Sequence, residues 1–184
     1  CGYVVFTDPV KPSAKAAIAE RADYGIDVKI LTGDNEYVTR HVCEQIGIDV
    51  EEVLTGDVVD EMSDDELQEA VERIHVFTSL TPDNKSRVVV ALKANGHTVG
   101  LMGDGINDVL AMRNADVSIS VDTGTDIAKE TASMILLEKD LNVLKTGAIE
   151  GRKVYVNSIK YVKMIGSINF GYMFSLVLGS LLFN

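Results

Sequence analysis

The stretch "HTVGLMGDGINDVLAM", residues 97–112, decides how this chain is read. An apolar run leads into a glycine-rich turn, and a helical pattern follows it. Asp104 and Asp108 stand four residues apart in that turn, where bare carboxylates would repel a phosphate. Gly103-x-Gly105 opens like a dinucleotide-binding fingerprint, but its third glycine position is Asp108, which raises the cost of holding a pyrophosphate. A hard cation removes the conflict, because Mg2+ takes oxygen ligands and binds through one or two carboxylates plus a substrate phosphate. Asp104 is then the direct metal ligand. Asp108, counted with it on the metal side, and Asn107 position waters, neighbouring groups or the helix start. A plain strand–turn–helix junction capped by Asn107 or Asp108 is the simpler reading, but it needs neither Asp104 nor both glycines.

Working outward, short β-rich runs alternate with helical patterns. The pattern predicts strands at Tyr3–Phe6, Asp27–Leu31, His75–Phe77, His97–Met102, Asp116–Ser120 and Ser133–Leu137. Between them it predicts helices at Ser13–Tyr24, Glu36–Ile46, Asp64–Arg73, Asp83–Asn95, Asn107–Arg113 and Asp126–Thr131. Near-continuous apolar strands alternating with helices indicate an α/β fold, a doubly wound, Rossmann-like parallel sheet covered on both faces. The acidic piece "DVEEVLTGDVVDEMSDDELQEAVER", residues 49–73, reads as a solvated loop and helix without chemistry. Ser63 with Glu66 three residues on fits a capping box.

In parallel sheets ligands bind beyond the carboxyl ends of the strands. There the chain carries "DP", "TGDN", "TSLTPDNK" and "GDGIND" after the first four predicted strands. Thr32 and Gly33 offer a hydroxyl and backbone N–H groups at a helix N-terminus, the usual means of holding a phosphoryl oxygen. Lys85 adds a positive charge near the start of the next helix, where cations are normally disfavoured. Each cluster alone is weak, and a surface lysine is the plain reading of Lys85. Together they give Thr and Lys for a phosphoryl group and Asp for Mg2+, equipment for phosphoryl transfer. A nucleophile is missing from the set.

Bulk properties narrow the field further. A net charge of −11 over 184 residues argues against nucleic acid as a partner. Two cysteines without a C-x-x-C argue against a disulfide framework or a zinc site, and the three scattered histidines read as structural or exposed. The chain opens on Cys1 and an apolar run, which leads us to expect a longer parent sequence.

The last third is of another kind. From Leu141 there is no proline and no strong turn signal, which predicts one long helix or two in tandem. Met164–Phe183 is uncharged throughout, and twenty helical residues reach about 30 Å, the thickness of bilayer hydrocarbon. Arg152, Lys153, Lys160 and Lys163 precede it and place the preceding domain in the cytoplasm. A buried core helix is the competing reading. Ser167, Gly171, Ser175 and Gly179 form a small-residue stripe suited to packing on other membrane helices. Asn169 is the odd polar group at membrane depth, facing an interior path or bonding a neighbouring helix.

T-G-D, then P-x-x-K, then G-D-G-x-N-D, in this order, resemble the phosphorylation domain of P-type ATPases in the haloacid dehalogenase superfamily. "DPVK" at Asp8–Lys11 resembles the segment where that family's chain returns from its nucleotide-binding domain. "ISVDTGTDIAKETASMILLEKDLNVL" and "SINFGYMFS" resemble the magnesium-transporting subgroup in particular. The resemblance covers essentially the whole chain. It implies that Thr32 and Gly33 hold phosphate, that Lys85 neutralises it and that Asp104 binds Mg2+. It also implies that Asn107 and Asp108 organise the loop, that Asp34 completes the T-G-D signature, and that Asn169 lies near the ion path. The family's phosphorylated aspartate lies in D-K-T-G-T, followed by the nucleotide domain, and neither is found in this sequence. "DTGTD" at Asp122–Asp126 lacks the lysine and is not that nucleophile. Where the family usually continues A-P-A-L after G-D-G-x-N-D, this chain has Val109-Leu110-Ala111-Met112. It thereby loses a proline that would sharpen the helix start.

The expected layout is a haloacid dehalogenase-type phosphorylation domain over 1–140, a stalk helix over 141–163 and a transmembrane helix over 164–184. The implied function is ATP-driven cation transport, with Mg2+ as cofactor and as the expected cargo, in a multi-pass protein of the plasma membrane. The implied partners are ATP through a nucleotide domain, membrane lipid and other transmembrane helices of the same pump. The rival readings are a soluble phosphatase of the same superfamily, a membrane-anchored regulatory piece that docks on a complete pump, and a bare Mg2+-binding domain.

Overall fold

The computed structural model describes residues 25–48, 50–138 and 140–182. The strand and helix predicted at Tyr3–Phe6 and Ser13–Tyr24, and the "DPVK" segment, lie outside the described residues. The chain divides into two compact units, the first ending at Val143 and the second beginning at Leu144.

The first unit holds two three-stranded parallel sheets. One contains β1 (Ile30–Leu31), β2 (Val53–Thr55) and β3 (Val76–Thr78), in the order β1-β3-β2. The other contains β4 (Gly100–Met102), β5 (Val117–Val121) and β6 (Met134–Leu136), in that order. Register in the first sheet explains its two-sided burial. Ile30 and Val53 both lie opposite Val76, while Leu31 and Leu54 both lie opposite Phe77. Successive side chains point to opposite faces of a strand, so the two rows feed two separate cores. The Phe77 row joins Val59, Leu67, Val71, Ile74, Val88 and Leu92. The Val76 row packs with Cys43, Ile46 and Ile48. Each fully buried apolar side chain of this kind contributes about 1.5–3 kcal/mol.

The helices are α1 (Glu36–Ile46), α2 (Gly56–Glu61), α3 (Asp64–Arg73), α4 (Pro82–Ala94), α5 (Val109–Asn114) and α6 (Asp126–Thr131), with a 3-10 turn at Ile106–Asp108. Their starts are written locally. The Asn35 side chain accepts from the Val38 N–H at 3.0 Å. Ser63 and Glu66 form the predicted reciprocal box, with Ser63 N–H donating to Glu66 Oε2 at 2.9 Å. Those bonds from Ser63 hold the Glu66 carboxyl below its usual pKa. Gly47 ends α1 in the left-handed region at φ 79°, where glycine carries no Cβ penalty.

The structure departs from the sequence reading in identifiable places. The acidic piece is not a loop followed by a helix, because Val53–Thr55 forms an edge strand and Gly56–Glu61 a helix, with Leu54 and Val59 buried. The fourth strand begins at Gly100 rather than His97. The Val99 carbonyl accepts from both Asp116 and Val117, so the regular ladder starts one residue later. The predicted helix at Asn107–Arg113 begins as the 3-10 turn, and Asp108 makes no side-chain cap bond to α5.

The second unit is the continuation of one unbroken helix, α7 (Leu141–Leu182), of 42 residues. Its Thr146–Leu182 portion is long and apolar enough to cross a membrane, and none of its most apolar window is buried. Phe170 and Phe174 stack on its surface with ring centroids 6.4 Å apart.

Two measurements test this account. Ser63→Ala should cost about 1 kcal/mol of stability by denaturant unfolding, since one helix-start donor loses its acceptor. Asp116 accepts from the Val99 N–H at 2.9 Å and pairs with Lys93 at 3.0 Å, and these contacts hold its carboxyl below the ordinary value of 3.8. Its contribution is therefore fully present above about pH 4 and is lost as pH falls through the lower folded value. Unfolding of Asp116→Asn followed against pH should show a shallower acid limb than the parent chain.

Candidate functional site

Every candidate residue of the first unit follows a strand end. Thr32 leaves β1 still bonded to the sheet, its N–H donating to the Phe77 carbonyl at 3.0 Å. Its hydroxyl donates to Asp34 Oδ2 at 3.2 Å and accepts from the Asp34 N–H at 3.1 Å. Thr32 and Asp34 thus close a local turn around Gly33, and Gly33 and Asp34 are exposed. That turn is stitched to the next loop. The Ser79 N–H donates to the Asp34 carbonyl at 2.7 Å, and the Leu80 N–H donates to the Thr32 carbonyl at 3.0 Å.

Lys85 lies on the first turn of α4, whose start is fixed by Thr81 and Asn84 in a capping box with Pro82 just inside. Pro there costs no hydrogen bond, because that N–H has no helical partner in any case. The Lys85 ammonium donates to Asp108 Oδ1 at 2.7 Å, and the two side chains are only 12% and 18% exposed. This ion pair joins the P-x-x-K helix to the G-D-G-x-N-D loop. An ammonium has three donors, and among the described residues Asp108 takes one of them, which leaves two for an incoming anion.

The loop itself is tight. A Cβ on Gly103 would lie 2.5 Å from Asp108 Cβ and 3.0 Å from its Cγ, so residue 103 has room only for hydrogen. Asp108 Oδ2 accepts from the Gly105 N–H at 3.4 Å. Both Asp108 oxygens are therefore engaged within the protein. Asp104 differs: it is exposed, and among the described residues nothing bonds to its carboxylate. Its backbone is fixed, since its carbonyl accepts from the Thr125 N–H at 2.9 Å. Asn107 is exposed, without a side-chain bond among the described residues. "DTGTD" at Asp122–Asp126, which is not the nucleophile, has a structural place. Here Thr125, which also caps α6, and Gly124 back the Asp104 main chain.

These donors can be weighed against Mg2+. Among the described residues no group of three or more His, Cys, Asp or Glu side chains converges. A cation that takes one or two carboxylates and completes its shell with phosphate and water fits such a site. Asp104 fits as the open ligand, while Asp108 is held by Lys85 and Gly105. The structure thus brings together Thr32 with Asp34, their turn with the loop preceding Lys85, and Lys85 with Asp108. Among the described residues no hydrogen bond joins the Thr32–Asp34 turn to the 103–108 loop. Asn169 belongs to the second unit, where it is exposed on α7.

Opening the Lys85–Asp108 pair from one side leaves a largely buried charge unpartnered. Asp108→Ala should therefore lower the stability of the chain by about 3 kcal/mol in denaturant unfolding. The double substitution Lys85→Met with Asp108→Ala should recover part of that loss.

Comparison with known proteins identifies the family. The model of the haloacid dehalogenase-like hydrolases matches residues 1–116. The magnesium-transporting ATPase, P-type 1, of Salmonella typhimurium is 54% identical over 179 residues, covering 97% of this chain and 20% of that protein. The Escherichia coli K12 protein of the same name is 50% identical over the same extent. Calcium-transporting ATPase 1 of Saccharomyces cerevisiae is 36% identical over 161 residues, 85% of this chain and 17% of that protein. The chain thus spans about a fifth of the length of these relatives. Among solved structures, a zinc-transporting PIB-type ATPase in its E2.Pi state aligns with TM-score 0.64 and 27% identity over 82% of this chain and 20% of that one. The catalytic domain of the CPx-ATPase CopB-B aligns with TM-score 0.58 and 28% identity over 75% of this chain and 45% of that one. The chain belongs to the haloacid dehalogenase-like hydrolases, in the branch formed by the P-type ATPases.

Proposed function

We propose that this chain is the phosphate- and Mg2+-holding part of a P-type cation pump, together with the stalk and a membrane helix, and that a segment outside it supplies the phosphorylated aspartate. The observation that carries the reading is the Lys85–Asp108 pair at 2.7 Å, with the Asp104 carboxylate left open on the same loop. A lysine tethered by one donor is preorganised to meet a phosphoryl group with the other two. Preorganised charge of this kind loses little on reorganisation when the reaction occurs.

In this reading the Thr32 hydroxyl turns its one proton from Asp34 Oδ2 to a phosphoryl oxygen, and the Gly33 N–H holds another. Lys85 neutralises the developing charge, Asp108 holds Lys85 in place, and Asp104 is the protein's ligand to Mg2+. When bound, Mg2+ supplies charge neutralisation between carboxylate and phosphoryl oxygens. Asp34 closes the Thr32 turn, and Asn107 faces solvent beside the metal-side carboxylate. Among the described residues β1 and β4 each have a strand neighbour on one side only. Both end in site loops, so a further strand carrying the nucleophile has a backbone edge to join.

Whole-chain similarity favours Mg2+ as the transported ion, since the magnesium-transporting relatives exceed the calcium-transporting one in identity, 54% and 50% against 36%. ATP would reach the site through a nucleotide domain elsewhere in the pump. The span Thr146–Leu182 supports a place in the cell membrane beside other helices of the pump and lipid. In this reading Asn169 lies near the ion path. Nucleic acid has no part in this reading, given the acidic balance of the chain.

Two experiments test it. In the full-length pump, Lys85→Ala and Asp104→Ala should each lower phosphoenzyme formed from labelled ATP by about 10²-fold or more. Undiminished labelling of the Asp104→Ala pump would sink the assignment. This chain alone, incubated with labelled ATP and Mg2+, should form no acid-stable, hydroxylamine-sensitive phosphoprotein. Incorporation of label would place a nucleophile inside it.

A further inference from the structure

A second T-G-D, Thr55-Gly56-Asp57, lies at the end of β2 and repeats the spelling of Thr32-Gly33-Asp34 at the end of β1. Its surroundings are different. A Cβ on Gly56 would lie 2.3 Å from the Ser79 carbonyl oxygen and 3.3 Å from Asn84 Oδ1, so Gly56 is pressed against the loop that starts α4. Gly33 meets only the Leu80 carbonyl, at an ordinary 3.5 Å. The second copy is thus filled by the protein's own backbone and has no room for a phosphate.

The contact continues one turn along α2. Asn84 is fully buried, and its Oδ1 accepts from the Thr81 N–H at 2.9 Å and from the Thr81 hydroxyl. Its Nδ2 donates to Asp60 Oδ1. The amide orientation is fixed by these partners, because the flipped form would set a donor against the Thr81 N–H. Arg87, one residue beyond Ser86 on α4, donates to the Val59 carbonyl at 2.7 Å and to the Met62 carbonyl at 2.8 Å, tying the same two helices together. On its opposite side the loop is held by Asp34 and Thr32 through Ser79 and Leu80. Ser79 itself sits at φ 54°, a left-handed backbone that a non-glycine residue adopts only where its surroundings impose it.

We infer that Asp60, with Gly56, is a positioning residue for Lys85: it anchors the buried Asn84 that starts α4 and so sets where the ammonium stands. Asp60 is not among the residues to which the proposed function gives phosphate or Mg2+. It acts through Asn84, which adjoins Lys85 in the chain, and the inference rests on the proposed role of Lys85 at the phosphoryl group. Since Asp60 is exposed and supplies one acceptor atom, an asparagine in its place still accepts through its own Oδ1, whereas alanine does not.

The test uses the full-length pump and inorganic phosphate, reading the phosphate concentration that half-saturates phosphoenzyme formation, together with the half-saturating Mg2+ concentration. Asp60→Ala should raise the phosphate value about 10-fold while Asp60→Asn stays within about two-fold of the parent, the scale expected for a misplaced charged group. The Mg2+ value should be unchanged in both. Asp60→Ala combined with Lys85→Ala should be no worse than Lys85→Ala alone. Asp60→Ser, whose hydroxyl is too short to reach Asn84, replaces the alanine variant if that protein does not fold. An unchanged phosphate value in the alanine or serine variant overturns the inference, as do an asparagine variant as impaired as alanine and additive losses in the double variant. If Lys85→Ala itself leaves the phosphate value unchanged, the proposed role of Lys85 fails, and the inference falls with it. A defective Lys85→Ala beside a normal Asp60→Ala removes the inference alone.

Discussion

The contact between Lys85 and Asp108 is the interaction on which the candidate site depends. A lysine on the first turn of a helix faces the positive end of the helix dipole, and a carboxylate crowded into a glycine turn has little water around it. Each group would be poorly placed alone. Paired at 2.7 Å they compensate one another and connect α4, which packs on the first sheet, to the loop that leaves the second. Other contacts follow the same line, with Asn114 Nδ2 donating to Ser86 Oγ at 2.6 Å and Lys93 to the Asn114 carbonyl at 2.8 Å. The helix is therefore a joint between the sheets, and its register fixes both loops at once.

Much of the fold was legible because its local signals are strong and short-ranged. The bounds of α1, α3 and α6 coincide with the predicted ones, and each begins at a side chain able to cap it: Asn35, Ser63 and Thr125. β2 escaped because three strand residues sit in a run dominated by Asp and Glu, where charge masks the alternation that marks a strand. Its burial is set by Val76 and Phe77, which are distant in sequence. The site was legible as a set of loops but not as a set of contacts. Nothing in the spelling of "TPDNK" and "GDGIND" says which of two carboxylates the lysine will take. In the folded chain Asp108 turns to Lys85 and Gly105, and Asp104 is left facing solvent. The two T-G-D copies make the same point, since they are identical in sequence while the first closes a bonded turn and the second opens a helix with its glycine pressed against the Ser79 carbonyl.

The long helix was legible as helix but not as a single rod. A segment without proline, without charge over its distal half, and with serine or glycine every fourth residue is helical by composition, yet the sequence allows one helix or two in tandem. α7 is continuous from Leu141 to Leu182, about 63 Å at 1.5 Å per residue. Ser158 and Ser175 turn their hydroxyls back to the carbonyls of Val154 and Gly171, at 3.0 and 2.8 Å. Such back-bonding satisfies a hydroxyl inside its own helix, which suits a serine in an apolar medium.

The closeness of Gly103 to Asp108 carries a consequence for how this chain can change over generations. A methyl at position 103 would collide with the Asp108 side chain at its first carbon, so no rotation of the carboxylate relieves it. Any lineage that accepts a larger residue at 103 must place glycine at 108 or shift the backbone there, and either change strands Lys85. Three positions spread across some twenty-five residues of sequence therefore form a single heritable unit. A change at position 103 or 85 is therefore felt at Asp108.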